Sequence, residues 1–371
     1  MTVTYEQAAA NIPADLPSNV KAQIAAQATP PATDKDKAAA AKRAAWLETR
    51  RSGIGGSDVA AVLGLSKWRT AVDVYMDKLS EGHEQEQSDP MYWGTMLEQL
   101  VAKEFERRTG MKVQRVNTTL RKGEDGWMIA NIDRAIVNPE ISGNVRVIPE
   151  EKRTSDRMLT TDVILECKTA NAYSASEWGD TQEHEIRTGE LVTEHKIPVF
   201  YETQVQWYMG ITGAKTCYVA VLIGGSDFRI YKVDRDEDVI KALVEHCGKF
   251  WRENVLAHKA PDPVCVADVQ KLFPHSTDEM DEATNEEAAD IGELRTLSER
   301  IDELKRQQEV VKTRLTASIG DRLGLLIAGE KACTFKSQSA TRLDSTKLKK
   351  THPALFQQFA KTSETRTFRL A

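Results

Sequence analysis

Apolar side chains recur along this chain with two periods, and these divide much of it into elements before any side-chain chemistry is considered. The stretch DVILECKTA (162–170) is short, β-branched and apolar, which predicts a buried strand. Period-2 alternation puts Val163, Leu165 and Cys167 on one of its faces and Ile164, Glu166 and Lys168 on the other. WMIANIDRAIV (127–137) is a second apolar segment and carries one acid, Asp133. YWGTMLEQLVAKEFERRTG (92–110) has helical spacing instead, with Trp93, Leu97, Leu100, Val101 and Phe105 expected to face inward and Glu98 at the edge of the stripe. In YETQVQWYMGITG (201–213), Gln204 and Tyr208 share one helix face and Gln206 lies on another. WLETRRSGIGGSDVAAVLG (46–64) joins two arginines to a glycine turn and a helix opening at Ser57.

The same reading divides the chain into five parts. Residues 1–42 are rich in Ala, Pro, Asp, Lys and Thr and predict a mobile lead-in that turns helical near Ala38. Residues 43–261 have the texture of a globular core. Residues 262–293 form an acidic linker, with eight acidic and no basic side chains over 276–293. Over 294–330 a heptad pattern places Leu294, Leu297, Ile301, Leu304, Val311 and Leu315 on one seam, interrupted by Gln308. Packing of that seam on the core is the expectation, with a helical pair or an oligomer contact as alternatives. Residues 331–371, with nine Lys/Arg against two acids, predict a small basic module of strand (332–336), helix (345–360, interrupted at Pro353) and strand (366–370).

Composition narrows the function classes. At 371 residues with 40% hydrophobic and 29% charged content, the chain is ordinary for a soluble domain. No apolar run approaches the roughly 20 residues that span a bilayer, and the start lacks the pattern of a secretory signal, so a cytoplasmic location without membrane attachment is expected. The five cysteines are scattered with no C-x-x-C pair, which argues against a zinc ribbon or an iron–sulfur cluster. The net charge of −6 gives no sign of a nucleic-acid partner, but an acidic site and an acidic tail can mask a basic groove.

The chemistry-bearing pattern is an acid followed by E-x-K in the middle of a strand. Glu166 and Lys168 on one face of an apolar strand would cost several kcal/mol if buried without partners. A divalent cation and a phosphate substrate would offset that. Asp133 and Glu166 are the hard oxygen ligands that Mg²⁺ prefers. Lys168 can orient the attacking water, help deprotonate it, or neutralise charge in the transition state. Arg50 or Arg51, with the glycine turn and Ser57, would suit a phosphate, although an ordinary serine cap explains the same residues.

Taken in order, W-x-x-x-R…G-G-S-D, W-G-x-x-x-E, I-D, L-E-C-K and Q-V-Q-W-Y, continued by ITGAKTCYVAVLIGGSDFRIYKVDRDED (211–238), resemble the lambda exonuclease / YqaJ-type viral recombinase family within the PD-(D/E)XK superfamily. The resemblance covers roughly Trp46 to Trp251. It implies an α/β (α+β) fold: a restriction-endonuclease-like mixed β-sheet core flanked by helices, here with a C-terminal helical and basic extension. It also implies an exonuclease that depends on Mg²⁺ (Mn²⁺ able to substitute) and digests linear double-stranded DNA 5′-to-3′, leaving 3′ overhangs for recombination by strand annealing. Partners implied are duplex DNA ends, a single-strand annealing protein and further copies of the chain in a trimeric ring.

Carried over by position, Asp133, Glu166 and the main-chain carbonyl of Cys167 would hold the metal. Lys168 would be the catalytic lysine and Glu98 would support a second metal or water. Gln204 and Gln206 would lie in the helix that completes the site. Arg50, Ser57, Asn131 and Tyr208 would contact the 5′-phosphate or DNA, with Asn131 standing where the phage enzyme of that family has a serine. The 32 residues between Asp133 and Glu166 require a long excursion over 138–161, DNA-facing or subunit-facing. Two other readings stay open: a RecB- or Cas4-like nuclease of the same superfamily, and a DNA-binding scaffold without catalysis.

Overall fold

In the computed structural model of the protein, residues 34–80, 88–138, 144–190, 197–362 and 364–370 are described. Most of the expected lead-in lies outside them; its described end is helical from Asp34 rather than from Ala38. Contacts divide the chain into two units, residues 1–268 and 269–371.

The first unit is built on a mixed five-stranded sheet in the order β2-β5-β6-β7-β8. These strands are β2 (Val113–Arg115), β5 (Arg134–Ile136), β6 (Val163–Ala170), β7 (Thr216–Ile223) and β8 (Asp227–Asp234). Only β6 and β7 run parallel; the other neighbours are antiparallel. A parallel pair needs a crossover, and helix α6 (Val199–Thr212) lies within that connection. A second, three-stranded sheet has the order β1-β4-β3, from β1 (Ile54–Gly55), β3 (Leu120–Lys122) and β4 (Met128–Ala130). The expected mixed sheet flanked by helices is thus present.

The alternation expected for β6 holds. Leu165 and Cys167 pack with Val101, Ala102 and Phe105 of α4 (Asp89–Thr109) on one face. Ile164 faces the main core on the other, together with α2 (Gly56–Val62), α3 (Ala71–Leu79), α6 and α7 (Glu237–Phe250). One segment resolves further and one expectation changes. The segment 127–137 is two strands in different sheets, β4 and β5, and the chain crosses between them at Asn131–Asp133. In α4 only the C-terminal half is covered, so Trp93 and Leu100 stand 58% and 57% exposed rather than inward. Periodicity reports a stripe but not how much of it the sheet reaches.

Between β5 and β6, the described part of the excursion folds back on itself. Val147 bridges Leu159 in antiparallel fashion, Ile148 N–H donates to Met158 O, and Leu159 is buried. Met158 N–H donates to Thr212 O, tying it to the end of α6. Residues 139–143 lie outside the description.

The second unit holds α9 (Asn285–Ile319), the hairpin β9 (Gly324–Ile327) and β10 (Glu330–Thr334), α10 (Ser345–Thr351) and α11 (Pro353–Phe359). The acidic run itself starts the long helix: Thr284 Oγ1 accepts from Glu287 N–H and Glu287 accepts from Thr284 N–H, a reciprocal cap. The heptad seam is helical. Leu294, Leu297, Ile301, Leu304, Val311 and Leu315 stay exposed, between 37% and 56%. The helix expected over 345–360 is interrupted at Pro353: α10 ends at Thr351 and Pro353 opens α11. No strand forms over 366–370; the Arg366 carbonyl accepts from the Gln270 side chain and its guanidinium donates to Phe273 O.

Candidate active site

Glu166 and Lys168 project from the middle of β6 toward α6, where the sequence repeat of the strand and the face of the helix meet. Gln204 joins them. Its Nε2 donates to Glu166 Oε1 at 2.7 Å and its Oε1 accepts from Lys168 Nζ at 2.9 Å. Lys168 Nζ also donates to Glu166 Oε1 at 2.6 Å. The three side chains close a triangle of charge-assisted hydrogen bonds. Tyr208, one turn beyond Gln204, is buried, and its hydroxyl oxygen accepts from Gln204 Nε2 at 3.1 Å.

Asp133 arrives from the crossover between β4 and β5. Its Oδ2 accepts from the Cys167 N–H at 2.8 Å, which pins it beside the centre of β6. Burial first, then the neighbouring Glu166 carboxylate, push its carboxyl well above the usual carboxylate range, against the pull of Lys168. Burial also raises Glu166, with Lys168 pulling the other way. Lys168 responds oppositely: burial would lower its pKa, but Glu166 and its other neighbours outweigh that and hold the ammonium above its ordinary value. Its Nζ stands 4.6 Å from the centre of the Tyr201 ring, a cation–π contact.

Glu98, from α4, reaches the edge of this cluster, near enough for its charge to raise Asp133 further. It is held by Arg134 Nη1 at 2.5 Å, and Arg134 also donates to Asp133 O at 2.6 Å. Arg134 was not singled out in the sequence, although a guanidinium inside an apolar segment next to Asp133 was the available signal. Gln206 is not brought to the cluster. It bridges the turn after β8 instead, donating to Asp234 O and accepting from Asp236 N–H.

A second group adjoins the first across Gln204 and Tyr208 of α6. Arg50 Nη2 donates to Ser57 Oγ at 3.0 Å, and its guanidinium sits over the Trp46 ring. The charge that organises this group is Asp58, fully buried. Its Oδ2 takes Lys78 Nζ at 2.7 Å and Gly55 N–H at 3.1 Å, and its Oδ1 takes Arg69 at 3.0 Å with Arg50 at 3.6 Å. Burial alone would raise this carboxyl, but Lys78, Arg50 and Arg69 together hold it well below the usual range. Neither Asp58 nor Lys78 was legible as a pair, because they meet only through the α2–α3 packing. Asn131 has a separate partner, its Oδ1 accepting from Thr119 Oγ1 at 2.7 Å.

The two groups share a wall. A Cβ on Gly56 would come within 2.5 Å of the Tyr208 ring and 2.9 Å of Gln204 Cγ. The glycine turn therefore lets α2 lie directly on α6 at the residues that support Glu166 and Lys168.

The donor set fits a divalent cation. Two buried carboxylates of like charge are both driven toward protonation, the situation a cation relieves. Among the described residues, no three His, Cys, Asp or Glu side chains form a ready cage.

Comparison with known proteins agrees in family. The YqaJ-like viral recombinase domain matches residues 45–215. The uncharacterized protein YqaJ of Bacillus subtilis (strain 168) is 33% identical over 331 residues, covering 87% of this chain and 92% of that protein. Among solved structures, the alkaline exonuclease LHK-Exo of Laribacter hongkongensis superposes with a TM-score of 0.40 at 19% identity, over 58% of this chain and 93% of that one. A phage-related exonuclease from Haemophilus somnus 129PT gives 0.34 at 12% identity, over 56% and 96%. Matched through both Arg50–Ser57 and Asp133–Glu166–Lys168, and related over most of its length to YqaJ, the chain belongs to the YqaJ-like viral recombinase domain family.

Proposed function

We propose that the protein is an Mg²⁺-dependent exonuclease that digests linear double-stranded DNA from its 5′ ends and leaves 3′ single strands for recombination by annealing. The observation that carries this reading is the convergence of Asp133, Glu166, Lys168 and Gln204 at the centre of β6. Asp133, Glu166 and the Cys167 carbonyl would hold the metal, with Glu98 behind them. Bound there, Mg²⁺ would polarise the scissile phosphate and acidify the attacking water.

Lys168, kept charged by Glu166, is suited to orienting that water and to countering negative charge as the phosphorus becomes five-coordinate, more than to accepting a proton. Gln204 holds both Glu166 and Lys168 in place, and Tyr208 holds Gln204. Arg50, with Ser57, would grip a terminal 5′-phosphate, which carries more charge than an internal diester. Two further copies of the chain, in a trimeric ring around the duplex, and an annealing protein for the 3′ strand complete the proposal.

Digestion of duplexes labelled at each end, with and without a 5′-phosphate, tests it. Mg²⁺-dependent loss of the 5′-phosphorylated strand is expected. No digestion of either end would overturn the reading, and release from the 3′ end would overturn its polarity.

A further inference from the structure

The loop between α2 and α3 carries a large aromatic side chain at the surface beside the Lys168 cluster, and no role described so far uses it. Trp68 is 67% exposed. The loop that presents it is nonetheless fixed. Ser66 Oγ accepts from the backbone N–H groups of both Trp68 and Arg69, each at 3.2 Å. Lys67 Nζ pairs with Glu177 Oε1 at 2.6 Å, which ties the loop to the short 3₁₀ turn (Ala172–Glu177) following β6.

A run of ring contacts connects this indole to the catalytic lysine. Trp68 meets Phe200 nearly perpendicularly, with ring centres 4.8 Å apart. Phe200 meets Tyr201 in the same manner at 4.5 Å, and Tyr201 carries Lys168 Nζ at 4.6 Å. Phe200 and Tyr201 begin α6, the helix that places Gln204. Trp68 is therefore anchored from one side at a set position relative to the reacting centre, with two-thirds of its surface open to a further ring.

The chemistry of the occupant follows from position. Lys67 and Arg69, on either side of the indole, are already paired with Glu177 and Asp58, so the run of rings that ends at Lys168 decides what stands beside Trp68: on the nuclease reading, the strand whose phosphodiester lies at that cluster. A nucleobase of that strand offers a flat ring, and stacking on an indole requires no particular base.

We propose that Trp68 is a stacking platform for an unpaired nucleobase close to the phosphodiester that is cut. This rests on the nuclease reading above and adds to it a binding subsite outside the metal and 5′-phosphate groups.

The test is a binding comparison. A short 5′-phosphorylated single strand is titrated in Ca²⁺ against the full-length protein, alongside the same strand with one base removed at each of its first few positions. In the wild type, removing the base at one position should weaken binding about 5- to 150-fold, the range of one base–aromatic stack. In Trp68→Ala the intact strand should bind that much more weakly, and the abasic penalty at that position should vanish. Trp68→Phe should restore part of both. A melting curve for each variant separates this from loosening of the loop, because a structural defect lowers stability without removing a position-specific penalty. The proposal is overturned if Trp68→Ala keeps the wild-type penalty, or if the wild type binds the strand yet shows no penalty anywhere. If the wild type does not bind the strand, this subsite falls, while the nuclease reading is decided separately by digestion of the labelled duplexes.

Discussion

Replacing Asp58 by alanine would leave the Lys78 ammonium inside the protein without the carboxylate it touches, with Asp77 as its remaining acidic neighbour. Both side chains are fully shielded from solvent, and their 2.7 Å contact is the shortest that Asp58 makes. Removing one member of a buried pair costs about 3–5 kcal/mol, mostly because the remaining charge is stranded. Lys78 would keep its bond to Arg50 O at 2.8 Å, which places the expected loss toward the lower end. For a unit of this size that corresponds to a fall in Tm of roughly 6–20 °C. Thermal unfolding followed by circular dichroism measures it. The double variant Asp58→Leu, Lys78→Met removes both charges and should recover much of the loss, since an apolar replacement of a buried pair is often close to neutral.

The pH dependence has a definite sign. The folded-state pKa of Asp58 lies well below its unfolded value, so its contribution is fully present above the unfolded value and is lost progressively as pH falls from there toward the folded one. Wild type should therefore lose more stability than Asp58→Asn between pH 5 and pH 3. A drop in Tm for Asp58→Ala of less than about 3 °C would refute the reasoning, because the pair would then contribute no more than an exposed one.

Three further outcomes are expected. Lys168→Ala should slow cleavage on the order of 10³-fold while the fold is retained, and activity within about tenfold of wild type would remove Lys168 from the chemistry. Gln204→Leu should reduce kcat with a modest change in Tm, whereas Gln206→Ala should lower stability by about 1–3 kcal/mol and leave kcat alone; the reverse pattern would exchange the two roles. Mg²⁺ should raise Tm more at pH 8 than at pH 5. The reason is that Asp133, with its pKa raised by burial and Glu166, destabilises the metal-free fold as pH rises above the ordinary carboxylate value, and the cation binds the deprotonated form; a pH-independent shift would count against Asp133 as a ligand.

Much of this protein is written in local pattern. β6, the helix of Gln204, the helical seam from Leu294 to Leu315 and the helix start at Pro353 all follow from periodicity and end signals, which depend only on neighbours in sequence. The pairing of Glu166 with Lys168 is likewise local, because strand geometry alone puts i and i+2 on one face. What the chain could not show by itself is where separate stretches meet. Asp133 reaches β6 only because residues 127–137 break into strands of two sheets. Gln204 is a partner of Glu166 and Gln206 is not, a choice set by the rotation of α6 against the parallel β6–β7 pair. Asp58 and Lys78 are unremarkable in sequence and become a buried ion pair through the packing of α2 on α3. Trp93, Leu100 and the seam of α9 carry the pattern of buried residues yet stay exposed, since burial depends on what covers a stripe and not on the stripe. Spacing along one element is a short-range property that the backbone imposes; contact between elements, and with it the electrostatics of the site, is decided by how the whole chain closes its core.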